Sequence, residues 1–209
     1  MNGNLAEKMF RLAGNFATNP GYLTRYWSDN VLNRKTPLDL ETPWFSYAAI
    51  DFLGKNLQPE MTACEYGSGG STLFFARRLQ AVYSIEDNPK WFAMVTERIK
   101  ERGIRNAEIN LFPFDFKNPK GFEQSAYLNA IPQRPFDIYV IDGSEEWEQV
   151  RPLCFRHVER IIRPGGMIIV DDAWRYPSLR TNSHARQVRT FESAGPCRPG
   201  VTSTDIFFY

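Results

Sequence analysis

The chain has 209 residues, of which 25 are basic and 24 acidic, giving a formal net charge of +1. This length predicts one α/β domain with a full core rather than two large domains. The balanced charge excludes an electrostatic drive toward nucleic acid or an acidic membrane surface, so we predict neither partner. Cys64, Cys154 and Cys197 are widely spaced and form no CxxC pair, which argues against a disulfide framework and a thiolate zinc site. Without a long apolar run or a signal-peptide pattern, the chain is predicted to be cytoplasmic.

The N-terminal part of the chain is less regular than the rest. Residues 1–41 alternate polar and aromatic stretches, and helical spacing is evident only at residues 5–16. We predict that this segment is helical and irregular and packs on a core domain formed by residues 42–209. Thr42 can cap a helix and Pro43 suits its first position, so a helix is expected to precede the first strand of that domain.

Residues 61–72, MTACEYGSGGST, predict a strand, a tight glycine turn and a helix start. Glycine permits positive φ and lets a ligand approach the backbone, and the free amides of the first helical turn point toward such a ligand. A Walker phosphate loop needs a Gly-Lys-Ser/Thr ending, but residues 67–72 contain no basic residue. A dinucleotide fingerprint needs a third glycine where this chain has Thr72. The turn therefore predicts a cradle for another small molecule.

The rest of the chain alternates predicted strands with predicted helices. An apolar helix after the turn leads to a strand that ends on Glu86, and Asp87 or Asn88 then caps a helix with Pro89 in its first turn. This alternation predicts a doubly wound α/β sheet, in which ligands bind beyond the carboxyl ends of the parallel strands. The other predicted elements are strands at 81–86, 107–111, 136–142 and 167–172, a short helical patch at 122–131 and a helix through residues 150–161.

Glu65-x-Gly67-x-Gly69, followed by Glu86 at the end of the next strand, resembles the cofactor site of the class I S-adenosylmethionine-dependent methyltransferases. The resemblance extends from about residue 42 to residue 176. It implies a mostly parallel, seven-stranded, Rossmann-like methyltransferase sheet with helices on both faces. It also implies an antiparallel last strand at residues 205–209, preceded by a loop at 196–204.

The resemblance further implies that S-adenosylmethionine is the cofactor. In this family the glycine loop holds the methionine part and the acidic residue on the second strand, here Glu86, holds the ribose. Phe114 and Asp115 are then expected near the adenine ring, where an aromatic ring can stack and a carboxylate can accept from the amino group. The residues predicted to bind the cofactor are Glu65, Tyr66, Gly67, Ser68, Gly69, Ser71, Thr72, Glu86, Asp87, Phe114, Asp115 and Asp142.

Three further carboxylates follow the last two parallel strands and are predicted to lie beside the reacting methyl group. Asp142 and Asp171 are the predicted catalytic residues, because a hydroxyl acceptor needs orientation and removal of its proton. Asp142, Asp171 and Asp172 could together bind Mg²⁺, as in the metal-dependent sugar and catechol O-methyltransferases that this part of the sequence resembles. In the alternative, Asp142 acts alone while Asp171 and Asp172 cap the next segment or pair with Arg175.

Basic and aromatic residues also lie near these strands in the sequence. Arg151, Arg156 and Arg160 follow helical spacing and are predicted to form a solvated face. Arg175 and Tyr176 border a strand end and are candidates for substrate contact.

The sequence as a whole predicts an S-adenosylmethionine-dependent methyltransferase that acts on a small molecule, with a hydroxyl oxygen as acceptor. A homodimer is compatible with this interpretation. Two alternatives remain open at this stage. One is a protein that binds the cofactor without catalysis, and the other is a nucleotide-dependent oxidoreductase on a similar fold.

Overall fold

The computed structural model describes residues 5–32 and 35–209, and within them the chain forms one seven-stranded sheet with eight α-helices. Residues 1–4 and 33–34 of the predicted N-terminal segment lie outside the described residues. The strands are β1 Thr62–Tyr66, β2 Ala81–Glu86, β3 Ala107–Leu111, β4 Ile138–Ile141, β5 Met167–Val170, β6 Gln187–Ala194 and β7 Val201–Phe208. The α-helices are α1 Leu5–Thr18, α2 Pro20–Tyr26, α3 Pro37–Leu40, α4 Tyr47–Asn56, α5 Gly70–Ala76, α6 Pro89–Glu101, α7 Val150–Glu159 and α8 Ser178–Asn182.

The strands lie in the order β3-β2-β1-β4-β5-β7-β6, which confirms the predicted doubly wound sheet. Strands β1 to β5 are parallel, and β7 runs antiparallel to both of its neighbours, β5 and β6. The carboxyl ends of β2, β1, β4 and β5 therefore meet at one edge of the sheet, together with the amino end of β7. No helix in the described part of the chain is long and apolar enough to cross a membrane.

Both faces of the sheet are covered. Successive side chains of a strand point to opposite faces, so a strand that is apolar throughout is buried on both sides. Along β4, Ile138 and Val140 belong to one core cluster, while Tyr139 and Ile141 belong to the cluster on the opposite face. Helices α4 and α5 pack in the first cluster and α7 packs in the second. Because the faces are filled, the edge formed by the strand ends is the region left for a ligand.

Two predicted helices differ from the observed ones. The helix before β1 does not begin at Thr42, because Ser46 caps it and its hydroxyl accepts a hydrogen bond from the Ala49 amide at 3.2 Å. The predicted helical patch at residues 122–131 is only a short 3₁₀ helix, Phe122–Gln124, followed by turns. A further 3₁₀ helix spans Ala173–Arg175, and a π-helix spans Trp27–Leu32.

The C-terminal strands correct the prediction most clearly. The antiparallel strand expected at residues 205–209 already begins at Val201, so the loop predicted at 196–204 is shorter, and β6 was missed. The family resemblance implied a loop up to residue 204, yet Thr202, Ser203 and Thr204 are buried in β7. Two of them are hydrogen-bonded to residues elsewhere in the fold: Thr204 Oγ1 accepts from the Ser46 amide at 3.1 Å, and Thr202 Oγ1 donates to Asp172 at 2.7 Å.

Candidate active site

The turn after β1 requires glycine because of its backbone and its neighbours. Gly67 has φ of +91°, and a Cβ there would lie 2.6 Å from the carbonyl oxygen of Asp142. Its amide donates to the Ile85 carbonyl at 2.8 Å, which ties the turn to β2. A Cβ on Gly70 would lie 2.3 Å or less from the carbonyl oxygens of Pro37 and Thr42. The turn is therefore held between the end of β4 and the segment around α3.

Glu65 lies beneath this turn and does not line the cavity above it. Its side chain is buried, and Oε1 accepts hydrogen bonds from the hydroxyls of Ser84, at 2.6 Å, and Thr72. The Thr72 hydroxyl in turn accepts from the Gly69 amide at 3.0 Å. Burial raises the pKa of Glu65 to about 7. Glu65 and Thr72 thus support the turn from within the protein.

Glu86 joins the glycine turn to the loop that follows β2. Its Oε2 accepts from the amide and the hydroxyl of Ser68 at 2.9 and 2.6 Å. Its Oε1 accepts from the amides of Asp87 and Asn88 at 3.1 and 2.9 Å. Trp91 completes the link by donating from its indole nitrogen to the Ser68 carbonyl. Burial, with the nearby Glu86 carboxylate, raises the pKa of Asp87 to about 6.

The three aspartates after β4 and β5 are bound by two arginines. Arg151 donates from Nη2 to Asp142 Oδ1 at 3.0 Å and from Nη1 to the carbonyl of Asp171 at 2.9 Å. Arg198 donates to the carboxylates of Asp171 and Asp172 at 3.1 and 2.7 Å. The side chains of Arg151 and Arg198 are 5% and 13% exposed, so these contacts are sheltered from water. The result is a buried cluster of acids and bases at the sheet edge.

The acids of this cluster differ in proton affinity. Burial, together with the charge of Asp171, raises the pKa of Asp142, although Arg151 opposes the shift. Burial also raises the pKa of Asp171 to about 6, against the effect of Arg198. For Asp172, burial acts in the same direction, but Arg198 and the Thr202 hydroxyl outweigh it and hold the pKa well below its usual range. Three carboxylates facing two guanidinium groups therefore favour retention of a proton on Asp142 or Asp171.

The cluster does not fit the predicted magnesium ion. A hard cation needs several free oxygen ligands, but the carboxylates of Asp142, Asp171 and Asp172 already accept from Arg151 and Arg198. Within the described ranges, no group of three or more acidic, histidine or cysteine side chains is arranged to hold a metal ion. The alternative pairing with Arg175 is wrong, because Arg175 lies 3.1 Å from Glu145 while Arg198 pairs with the aspartates.

A single cavity of about 660 Å³ connects the glycine turn with the aspartate cluster. We call the part beside Gly67, Ser68 and Glu86 the cofactor end. We call the part beside the aspartates, where the loop between β6 and β7 forms a wall, the acceptor end. The predicted site residues that line the cavity are Gly67, Ser68, Gly69, Ser71, Glu86, Asp87, Asp142, Asp171 and Asp172.

Other predicted site residues lie outside the cavity lining. Tyr66 is buried, and its hydroxyl donates to the Leu128 carbonyl at 2.5 Å on the face of the sheet that α7 covers. Phe114 packs edge-on against the rings of Phe116 and Phe122. Asp115 is exposed and accepts from the Lys117 amide at 3.1 Å. Direct contact of Glu65, Tyr66, Thr72, Phe114 and Asp115 with a cofactor remains a prediction.

Several residues that line the cavity were missed from the sequence. Trp44, Trp91 and Trp174 contribute indole rings, and Lys8 and Arg11 reach the cavity from α1. Arg198 comes from the loop between the last two strands, which was predicted as a plain connection. The sequence gives no local signal for these residues because each reaches the site through the tertiary fold.

The substrate and surface predictions also change. Arg151 was assigned to a solvated face, but it is buried because the start of α7 faces the strand ends. Arg175 and Tyr176 do not line the cavity, whereas the preceding residue, Trp174, does.

The sequence matches a family model described as "Methyltransferase domain" over residues 64–173, slightly more than half of the chain. The matched region begins in β1, includes the glycine turn, Glu86, Asp142 and Asp171, and ends just after β5. No curated protein matches the sequence significantly.

Solved structures of similar fold include a putative O-methyltransferase from Klebsiella pneumoniae, with 17% identity, a TM-score of 0.64 and coverage of 97% of this chain and 98% of that one. An O-methyltransferase from Bacillus cereus in complex with SAH has 17% identity and a TM-score of 0.64, covering 97% of this chain and 100% of that chain. An rRNA methylase from Streptococcus thermophilus has 14% identity and a TM-score of 0.55, covering 76% of this chain and 92% of that chain. At these identities the likeness shows a common fold, and proteins with this fold differ in what they methylate.

Proposed function

Because the chain belongs to the class I S-adenosylmethionine-dependent methyltransferases, we propose that it methylates a small molecule on a hydroxyl oxygen. The observation that carries this proposal is the continuous cavity of about 660 Å³ between the glycine turn and the aspartate cluster. Its size suits a small ligand together with a cofactor, and its walls supply polar groups at both ends.

The cofactor end fits S-adenosylmethionine. The glycine turn leaves space beside its backbone, and Ser68 and Glu86 border that space. Gly67, Ser68, Gly69, Glu86 and Asp87 would hold the cofactor. A ribose hydroxyl would donate to the Glu86 carboxylate in place of the Ser68 hydroxyl, which donates to it at 2.6 Å. When bound, the cofactor supplies a methyl group on a positively charged sulfur, which is already activated for displacement.

The acceptor end suits alignment of a hydroxyl and removal of its proton. Asp142 lies where β4 meets the cavity, and Arg151 fixes one of its oxygens at 3.0 Å. Burial raises the pKa of Asp142, so its ionised form accepts a proton more readily than an exposed aspartate does. Asp171 and Asp172 hold Arg198 and the adjacent loop in place. Asp142 is therefore the residue proposed to orient and deprotonate the acceptor, without a metal ion.

A small-molecule acceptor is supported by the shape and charge of the molecule. The acceptor end is bordered by two indoles, Trp44 and Trp174, and by the loop that carries Arg198. The formal charge of +1 offers no general attraction for a polyanion such as RNA.

The first test is calorimetric titration of the protein with S-adenosylmethionine and S-adenosylhomocysteine, repeated with Mg²⁺ and with EDTA. We expect both ligands to bind with affinities that neither addition changes. Methyl transfer is then measured on a panel of hydroxylated small molecules and on ribosomal RNA under the same conditions. Failure of both cofactor ligands to bind would refute the proposal. Transfer only to RNA, or only with Mg²⁺, would refute the acceptor class or the metal-free mechanism.

A further inference from the structure

Helix α1 brings two basic side chains to the acceptor end. Lys8 and Arg11 both line the cavity and are three residues apart, which places them on the same side of the helix. The helix is fixed against β6, because Asn15 Oδ1 accepts from the Ala194 amide at 3.0 Å. The two cations therefore belong to a docked part of the fold, beside the end of β6 from which the loop at the acceptor end starts.

These two cations differ from the arginines deeper in the site. Arg151 and Arg198 are occupied by the aspartates. Lys8 forms no ion pair within residues 5–32 and 35–209. Arg11 pairs with Glu192 at 2.7 Å, but these side chains are 35% and 50% exposed, and such exposed pairs contribute little. Lys8 is thus available to an incoming anion, and Arg11 can exchange its partner.

The same end of the cavity presents aromatic surface. Trp44 is 46% exposed, and the Arg198 guanidinium carbon lies 5.2 Å from the centroid of its ring. Trp174 is half-buried and donates from its indole nitrogen to Asp172 at 3.2 Å. An exposed indole that lines a cavity provides a flat apolar surface for a planar ligand.

Resting on the function proposed above, we propose that the acceptor is an aromatic hydroxy acid. Its ring packs against Trp44 and Trp174, its hydroxyl faces Asp142, and its anionic group, a carboxylate or a phosphate, binds Lys8 and Arg11. The opposite orientation is disfavoured because it would place the anion beside three aspartates whose two arginine partners are already engaged. The cations of α1 and the acids at the sheet edge together decide which end of the acceptor reaches the methyl group.

The test measures acceptor binding to the protein saturated with S-adenosylhomocysteine, using calorimetry and indole fluorescence. A hydroxybenzoate and a hydroxyphenyl phosphate are compared with the neutral hydroxybenzamide of the same shape. We expect at least one of the two anions to bind about tenfold or more tightly than the amide, and the preference to shrink as salt is added. The tighter anion identifies the group that is recognised. Equal binding of the three compounds, or no binding of either anion, would overturn the inference.

Variants then test whether α1 is responsible. In the double variant Lys8→Gln, Arg11→Gln we expect the preference for the anion to fall to within about threefold, with binding of the amide and of S-adenosylhomocysteine unchanged. Lys8→Arg should keep the preference, and Lys100→Gln, which changes an exposed lysine on α6, is the matched control. A preference that survives the double substitution would contradict the role of α1. Failure of the unmodified protein to bind S-adenosylhomocysteine would instead refute the function proposed above.

Discussion

The two ends of the cavity are built in different ways. At the cofactor end, residues 67–71 and 86–88 are neighbours along the chain or across two adjacent strands, and backbone amides make many of the contacts. At the acceptor end, Lys8, Trp44 and Arg198 come from segments far apart in the chain and contribute side chains. The cofactor end therefore depends on local backbone geometry, while the acceptor end depends on how distant segments pack.

This difference has a consequence for substitution. A backbone cradle is sensitive to any side chain that enters its space, and it tolerates few residue types. A wall of side chains can change its chemistry without altering the sheet, because the strand ends hold their positions independently. Substitutions at the two ends should therefore affect different quantities: cofactor affinity at the cofactor end, and turnover or acceptor choice at the acceptor end.

The largest effect is expected for Gly67→Ala. Alanine disfavours φ of +91°, and its Cβ would lie 2.6 Å from the Asp142 carbonyl oxygen. We expect affinity for S-adenosylhomocysteine to fall by about a hundredfold or more, measured by calorimetry. Gly165→Ala is the matched control, since Gly165 has φ of +83° and open space around its Cβ position. It should cost about 1 kcal/mol of stability and leave the affinity intact. Equal affinity in both variants would show that the turn is not a cradle.

The next effect concerns Glu65, which supports the glycine turn from within the protein. Burial raises the pKa of Glu65 from 4.5 to about 7 in the folded protein. A raised acid pKa means that the folded state binds the proton more tightly, so this group makes the protein less stable as pH rises through that interval. The loss amounts to about 3 kcal/mol between pH 4 and pH 8.

Glu65→Gln should remove this dependence. Its amide oxygen can still accept from Ser84 and Thr72, and its nitrogen replaces Oε2, which makes no hydrogen bond with a described residue. The measurement is the free energy of unfolding in urea at several pH values, with Glu108→Gln on the exposed side of β3 as control. If the free energy of unfolding varied with pH in the same way in Glu65→Gln and in the unmodified protein, the raised pKa would not belong to Glu65.

The sequence predicts the positions of the glycine turn and of Glu86 because their signal is local. Gly67 and Glu86 lie at fixed places relative to predicted strand ends, so the parallel topology brings them together. At the acceptor end only the aspartates could be predicted, because they too follow the ends of predicted parallel strands. Arg198 has no local sequence signal. It lies in a short loop, and a helix and a strand separate it along the chain from its partners Asp171 and Asp172.

The errors in the fold have a related cause. Strand β7 contains hydroxyl side chains that resemble a loop in sequence but are buried and hydrogen-bonded in the sheet. The helix before β1 is capped by Ser46 rather than by Thr42, and the Ser46 hydroxyl is held in place because it also donates to the Phe191 carbonyl of β6 at 2.8 Å. In both cases a contact between distant segments decides between patterns that the local sequence leaves open.

A smaller effect on the cofactor end is expected for Glu86→Ala. The substitution removes the acceptor for the Ser68, Asp87 and Asn88 amides and for the cofactor hydroxyls. Affinity for S-adenosylmethionine should weaken by about 1.5 to 3 kcal/mol, the scale of hydrogen bonds to a charged group, while the protein remains folded. Calorimetry and thermal unfolding measure the two quantities, and Glu108→Ala is the control. Unchanged affinity would remove Glu86 from the proposed cofactor site.

The smallest expected effect distinguishes the two ends most directly. Asp142→Asn keeps an oxygen that can accept from Arg151 but no longer takes a proton from the acceptor hydroxyl. We expect kcat to fall about tenfold, equivalent to about 1.4 kcal/mol, because assistance by the base is lost while the acceptor and the cofactor stay aligned. Affinity for S-adenosylhomocysteine should change by less than about threefold. An equal loss of turnover and cofactor affinity would assign Asp142 to the cofactor end, because a residue that acts on the acceptor alone lowers kcat without weakening the cofactor complex.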